Sequence, residues 1–236
     1  MRKILQLIII ILGLTSCSNQ EVDGIWMSYN NYIIDTDSAY YSGNEGIIID
    51  FDKQTISYIQ NDSIVPINID FKKSKLFVKN DTTNVEFKVY EKDSIEIDFD
   101  INIMHVFRPL NLNHKLSINE NQISSFLTKS DFFISNYFDE NNGKINIEFS
   151  DRPYFIDVMF KEQNKKNALI NKSWEDEGYW YVKEIKQNFF LVFALDQTAD
   201  QNIYQIISLD DSKMKLKQLQ EAEFGNAKIT ELKTSL

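Results

Sequence analysis

Residues 94–104 read Ser94-Ile95-Glu96-Ile97-Asp98-Phe99-Asp100-Ile101-Asn102-Ile103-Met104, and this stretch decides the fold class. Ile95, Ile97, Phe99, Ile101 and Ile103 fall on one side of an extended chain. Glu96, Asp98, Asp100 and Asn102 fall on the other. Side chains alternate across a strand, so the run predicts a single half-buried β-strand with an acidic outer face.

The same period of two recurs upstream, at Ile25–Ile34, Gly46–Asp52, Thr55–Gln60, Ile64–Phe71, Lys75–Lys79 and Asn84–Tyr90. Turn-forming residues separate these runs: Ser42-Gly43-Asn44-Glu45, Asp52-Lys53-Gln54, Gln60-Asn61-Asp62-Ser63, Asn80-Asp81-Thr82 and Lys92-Asp93. Short strands at such regular spacing predict an antiparallel barrel or sandwich over residues 24–110. Beyond Phe107-Arg108-Pro109 the pattern breaks. Residues 111–130 read as a linker with one short helix, begun by Ser117-Ile118-Asn119-Glu120, with Ile123, Phe126 and Leu127 on one face.

A second β-rich region spans 131–236. Its candidate strands are Asp131–Phe138, Ile145–Phe149, Tyr154–Lys161, Gly178–Ile185, Phe189–Ala194, Ile203–Leu209 and Met214–Leu219, with a turn at Asp139–Lys144. Phe189-Phe190-Leu191-Val192-Phe193 is continuously apolar, which predicts burial on both faces. The two halves share no constant period, and one larger β domain with a helical insertion stays open.

The N-terminus carries a different signal. Arg2 and Lys3 precede the apolar stretch Ile4–Leu14, broken only by Gln6 and followed by Thr15-Ser16-Cys17. The stretch falls short of the ~20 apolar residues that span a bilayer and has the layout of a cleaved leader over residues 1–16. Leu14-Thr15-Ser16-Cys17 resembles the lipobox of bacterial lipoproteins. That resemblance implies that Cys17 becomes the first mature residue and carries a thioether-linked diacylglycerol and an amide-linked acyl chain such as palmitate. Two or more chains anchor stably. Residues 17–23 then form a lipidated tether. Ser18 after the cysteine resembles outer-membrane sorting, so the expectation is a periplasm-facing outer-membrane protein.

Composition narrows the partners. The net charge is −10, and losing Arg2 and Lys3 with the leader makes the mature chain two charges more acidic. Such a surface argues against electrostatic binding of nucleic acid or of anionic headgroups, so the protein is held at the membrane by its lipid and not by charge. Cys17 is the only cysteine, so no intramolecular disulfide and no cysteine-based metal or redox site exists. The remaining chain, roughly 220 residues, is long enough to bury a sizeable core.

Asp23-Gly24-Ile25-Trp26 adds a fold-level resemblance. A Gly-x-Trp entering the first strand, shortly after a lipoprotein cysteine, resembles the small lipocalin-like domains of Bacteroidota envelope lipoproteins. The resemblance covers residues 23–109. It implies that Trp26 plugs one end of a barrel and that an arginine from the last strand, here Arg108, packs across its ring as a cation–π pair. Large inward residues such as Ile47, Ile49, Phe51, Ile67, Ile69, Phe87, Ile97 and Phe99 predict a filled barrel rather than an open cavity. In the same bacteria an Asp-Ser/Thr-x sequon is O-glycosylated. Asp37-Ser38, Asp62-Ser63, Asp81-Thr82 and Asp93-Ser94 match it, placing candidate acceptors at Ser38, Ser63, Thr82 and Ser94.

Chemistry-bearing residues are few. Trp174-Glu175-Asp176-Glu177-Gly178-Tyr179-Trp180-Tyr181 gathers aromatics beside carboxylates. Trp174, Tyr179, Trp180 and Tyr181 are candidate ligand-binding residues for a sugar, and Glu175–Glu177 candidate carboxylates for glycoside hydrolysis. The alternative is an aromatic girdle beside an acidic turn. Glu96, Asp98 and Asp100 lack the carbonyl loop of a Ca²⁺ site and read as a solvated sheet face. His105 and His114 are the only histidines and form no zinc frame. No nucleophile elbow, phosphate loop or dinucleotide fingerprint occurs, and no catalytic residue, metal or cofactor is assigned. The expected function is a lipid-anchored envelope binding module for a small apolar molecule, a glycan or another envelope protein. A glycan hydrolase and a purely structural lipoprotein are the alternatives.

Overall fold

The computed structural model describes residues 22–33, 46–59, 63–79, 84–90, 93–100, 103–129, 131–136, 144–153, 165–170, 177–194, 201–220 and 227–234. The protein is mainly β, as the alternation requires. Eight antiparallel strands close into a barrel in simple up-and-down order. They are β1 (Ile25–Ile33), β2 (Ile47–Asp50), β3 (Thr55–Tyr58), β4 (Ile64–Asp70), β5 (Lys75–Val78), β6 (Asn84–Tyr90), β7 (Ser94–Asp100) and β8 (Ile103–Pro109). Closure comes from β1 pairing with β8, Trp26 opposite Pro109 and Ile33 opposite Ile103. A closed barrel has no free edge on which another chain could add a strand. The architecture is compatible with a lipocalin-like barrel.

One expectation needs correcting at the stretch that reveals the fold. Residues 94–104 do not make a single strand. β7 ends at Asp100 and β8 begins at Ile103, with Ile97 opposite His105, Asp98 opposite Met104, and a register shift before Asp100 pairs with Ile103. The alternation persists across the reversal, because both arms of a tight hairpin keep their apolar faces on the same side of the sheet. Without this reversal the barrel would lack its closing strand.

Trp26, Ile47, Ile49, Phe51, Ile56, Ile67, Leu76, Val85, Phe87, Ile95, Ile97 and Phe107 fill the barrel. At the end where β1 begins, Trp26, Phe51, Phe71 and Phe87 form a chain of ring contacts at centroid separations of 5.9, 6.2 and 5.8 Å. Inward-facing aromatics of this size occupy the bore of an eight-stranded barrel.

Helix α1 (Glu120–Leu127) follows the linker. Asn119 rather than Ser117 caps it: its side chain accepts from the Gln122 backbone, and the Gln122 side chain accepts from the Asn119 backbone. This reciprocal pair satisfies two helix-end donors. Ile123, Phe126 and Leu127 are buried, as the sequence predicts.

The second sheet has nine strands in the order β16-β9-β10-β11-β12-β13-β14-β15-β17. They are β9 (Phe132–Asn136), β10 (Lys144–Pro153), β11 (Lys166–Ile170), β12 (Glu177–Ile185), β13 (Asn188–Ala194), β14 (Asn202–Leu209), β15 (Lys213–Gln220), β16 (Ala227–Lys228) and β17 (Glu231–Lys233). The expected strand Tyr154–Lys161 lies outside the described residues, and β11, β16 and β17 carry no signal strong enough to predict them. The sheet curls. Ala227 and Lys228 pair with β9 on one edge, and three residues later Glu231–Lys233 pair with β15 on the other. One short segment thus links both edges around a core that includes Phe149, Trp180, Phe193, Tyr204 and the apolar face of α1.

β13 is buried along its whole length, as its continuous apolar run requires. Phe189, Leu191 and Phe193 face the core of the second sheet. Phe190, Val192 and Ala194 face the other way, against Ile25, Met27, Ile48 and Ile59 on the outer wall of the barrel. The linker is strapped over this junction. Gln205 Nε2 donates to the Asn111 carbonyl at 2.7 Å and Asn188 Nδ2 to the Leu112 carbonyl at 2.9 Å, while Gln205 also donates to Asn188 Oδ1.

Candidate functional site

The aromatic run at 174–181 divides by strand alternation. Trp174, Glu175 and Asp176 lie outside the described residues, as does the side chain of Glu177. Trp180 points into the second core, where its Nε1 donates to the carbonyls of Ser150 and Asn167. Tyr179 and Tyr181 point outward, stack on one another at 8° and 6.5 Å, and join the junction with the barrel. All three described aromatics are buried.

Lys165 lies against this pair, its Nζ 3.8 Å from the centre of the Tyr179 ring and 5.5 Å from that of Tyr181. Burial lowers its pKa to about 8, because a desolvated ammonium is disfavoured relative to the neutral amine. The Tyr181 hydroxyl donates to Gln201 Oε1 at 3.0 Å, and burial, then the neighbouring Tyr179, pushes its pKa well above the usual phenol value. The cluster is a packed, partly polar seam between the two bodies.

A second polar pair sits beneath α1. Lys166 Nζ donates to Ser124 Oγ at 2.8 Å and crosses the Trp180 ring at 4.8 Å. A serine–lysine hydrogen bond is also the geometry of a nucleophile and its base. Here the lysine is also ion-paired with Asp151 at 3.2 Å, and it donates to the serine oxygen. The contact docks the helix onto β11.

The outer wall of the barrel presents a different chemistry. Tyr29 stands at the bulge where the β1–β8 register shifts, and it is 42% exposed. The guanidinium of Arg108 lies 3.9 Å above its ring centre. Arg108 pairs with Met27 and shares that residue's outward side, whereas Trp26 points inward. The cation–π contact of Arg108 is therefore with Tyr29, and the Trp26 ring instead meets Phe51 while its Nε1 donates to the Asp23 carbonyl. Sequence reasoning missed Tyr29, because a bulge cannot be read from alternation alone.

On the same outer face, but with β8 and β7 between it and β1, the Tyr90 hydroxyl donates to Glu96 Oε2 at 2.9 Å, and Tyr90 is 45% exposed. Tyr32 also hydrogen-bonds Glu96; burial first, then this carboxylate, pushes the Tyr32 pKa up to about 12. The Tyr90 pKa is raised too, chiefly by the Glu96 hydrogen bond. Glu96, expected as one rung of a solvated ladder, orients two phenols and retains acceptor capacity, since a carboxylate offers about four lone-pair sites. The wall thus combines exposed aromatic faces, a carboxylate and a guanidinium, all held by neighbours.

The remaining candidates are scattered. Ser63 is exposed just before β4 and Ser94 is half-buried at the start of β7, while Cys17, Ser38 and Thr82 lie outside the described residues. His105 is buried in the barrel, its ring edge-on to Phe99 at 5.7 Å. Among the described residues no group of three His, Cys, Asp or Glu side chains is placed to hold a metal ion, and no helix is long and apolar enough to cross a membrane. No protein-family model matches the chain, and no curated protein matches it in sequence.

Proposed function

We propose that the protein is a lipid-anchored binding module of the cell envelope, held by acyl chains on Cys17 and facing the periplasm from the outer membrane. It presents the outer wall of its first barrel to a glycan. The observation that carries the reading is that two exposed rings on the barrel wall are each fixed by a charged neighbour, Tyr29 by Arg108 and Tyr90 by Glu96. Sugars offer one apolar face of C–H bonds and a rim of hydroxyls. Aromatic rings cover the first, while carboxylate and guanidinium groups hydrogen-bond the second. The rings are pre-oriented, so little conformational entropy is lost on binding.

Filling of the barrel by large side chains favours a surface over an enclosed apolar cavity. The test is binding of the detergent-solubilised lipoprotein to an array of bacterial envelope glycans. Retention of a defined glycan class is expected, with Tyr29→Ala and Tyr90→Ala each weakening it about tenfold, roughly 1.4 kcal/mol. Binding that both substitutions leave unchanged, or no retention at all, sinks the assignment.

A further inference from the structure

Eight strands in up-and-down order give the barrel two unlike ends. At one end lie the start of β1, the end of β8, the turns 51–54 and 71–74, and Asp93 of the β6–β7 connection. At the other lie the ends of β1, β3, β5 and β7. The chain is already fixed where it reaches the first of these. Val22 packs against the barrel core, the Gly24 amide donates to Asp52 Oδ1 at 2.9 Å, and the Gly24 carbonyl accepts from Phe51 at 2.9 Å.

The two turns at this end are built alike. Asp50 Oδ1 accepts from the Lys53 amide, and Asp70 Oδ1 accepts from the amides of Lys72 and Lys73. Each aspartate is ion-paired with its own lysine, at 3.5 Å for Asp50–Lys53 and 3.2 Å for Asp70–Lys73. Gln54 and Ser74 each complete the turn with φ of 53°. The aspartates are spent on their own turns, and the lysines project outward, Lys53 and Lys73 with 70% and 72% of their side chains exposed. Asp23, Asp52 and Asp93 stand at the same end, so its charges are mixed, and the lysines are short-range contacts rather than a net cationic patch.

We infer that the end of the barrel carrying Lys53, Lys72 and Lys73 lies against the phospholipid surface, and that the opposite end points away from it. The inference rests on the proposed acylation of Cys17. Five Cα steps separate Cys17 from Val22, and a fully extended chain covers at most about 18 Å in that distance. A barrel strand of seven residues, tilted as barrels require, rises by about 16–19 Å, and the hairpin turns at the far end extend the barrel beyond that. The tether is too short to carry the chain past the barrel, so only the end from which it emerges reaches the headgroups. Any contact of the turn-tip ammonium groups with lipid phosphates is short-ranged, confined to about a Debye length, and sets no affinity. The lipid supplies the affinity and the short tether the orientation. Tyr29, midway along β1, remains open to ligands approaching along the membrane, while Tyr90 stands at the rim of the membrane-facing end.

The experiment uses the membrane-extracted, full-length lipoprotein. Acylation consumes the Cys17 sulfur, so a single added cysteine is the one free thiol. Gln54→Cys and Ser74→Cys place a fluorophore at the tether end without touching the lysines, and Ser63→Cys and Asn84→Cys place it at the other. Vesicles of phosphatidylethanolamine and phosphatidylglycerol carry a nitroxide on a fraction of headgroups. Quenching at 54 and 74 is expected to exceed that at 63 and 84 at least threefold, and replacing Lys53, Lys72 and Lys73 together by Glu should narrow the contrast. Equal or reversed quenching overturns the orientation. Vesicle flotation separates this failure from failure of the anchor. A wild-type chain that floats while Cys17→Ser does not keeps the anchor and leaves the quenching order to decide. A wild-type chain that stays in the aqueous fraction overturns both.

Discussion

At Gly46 the barrel backbone and the second sheet come close together. Its φ is +61°, and a Cβ built on it would sit 2.4 Å from Ile59 Cγ2 and 3.0 Å from Ile203 Cδ1, the latter on the second sheet. Gly24 has a similar φ of +77°, with nothing within 4 Å of the same position. Both substitutions to alanine incur the left-handed penalty of about 1–2 kcal/mol, and only Gly46→Ala adds overpacking of about 1–3 kcal/mol. Urea unfolding should rank Gly46→Ala well below Gly24→Ala; equal midpoints would mean that the junction yields freely. Lys165 gives a second prediction at this scale. Its folded pKa of about 8 lies below the ordinary 10.5, so between these values the unfolded chain binds more protons and stability rises with pH. Below pH 8 the penalty is fully present. Lys165→Met should therefore stabilise the protein at pH 7 by about 1–3 kcal/mol, and its advantage should shrink between pH 8 and 9.5. Tyr181 acts in the opposite sense only above the ordinary phenol range, since its folded pKa is raised. An advantage that stays constant across that range would refute the desolvated ammonium.

At the scale of elements, what could be read from the sequence depended on whether the signal was local. Alternation places seven barrel strands, because each needs only its own pattern. It merges β7 with the start of β8, because a tight hairpin leaves the apolar face unchanged through the turn. Asn119 caps α1 although Ser117 and Glu120 have the matching residue types: Asn119 stands immediately before Glu120, the first helical residue, and Gln122 is correctly spaced for the reciprocal bond. Asn119→Ala should lower stability by about 1 kcal/mol and Ser117→Ala hardly at all, measured by thermal unfolding. The related turns Asp50-Phe51-Asp52-Lys53 and Asp70-Phe71-Lys72-Lys73 are visible in the sequence once aligned at a spacing of twenty residues. Comparing the two halves of the chain hides this repeat, because it lies within the first half. The site is less legible. Alternation sends Trp180 and its two tyrosine neighbours to opposite faces, but whether the outer face meets water or the barrel is decided by strands more than a hundred residues away. Tyr29 and Arg108 come together only through barrel closure and a bulge, neither of which leaves a local mark.

For the whole molecule, the decisive feature is the apolar seam joining the two bodies. Strand β13 shares its faces between two cores: Phe189, Leu191 and Phe193 serve one, and Phe190, Val192 and Ala194 the other. Melting the second sheet therefore strips the cover from Ile25, Met27, Ile48 and Ile59, and opening the barrel exposes Phe190 and Ile203. Buried apolar area is worth about 25 cal/mol per Å², so each body loses a substantial part of its stability when the other unfolds. Asn188 and Gln205 strengthen the coupling by holding the linker carbonyls of Leu112 and Asn111 across the seam. The expectation is one cooperative transition, and the chain carries its own probes. Trp26 reports on the barrel, and Trp180 on the second core. In a Trp174→Phe background, Trp26→Phe and Trp180→Phe each leave one tryptophan, and their fluorescence transitions in urea should coincide once the stability lost by each substitution is allowed for. Introducing a charge into the seam with Met27→Asp should weaken the coupling and separate them, because a buried unpaired carboxylate favours the undocked bodies. Separate transitions already in the wild-type chain would show that the barrel and the second sheet fold independently, and that the seam is contact without cooperativity.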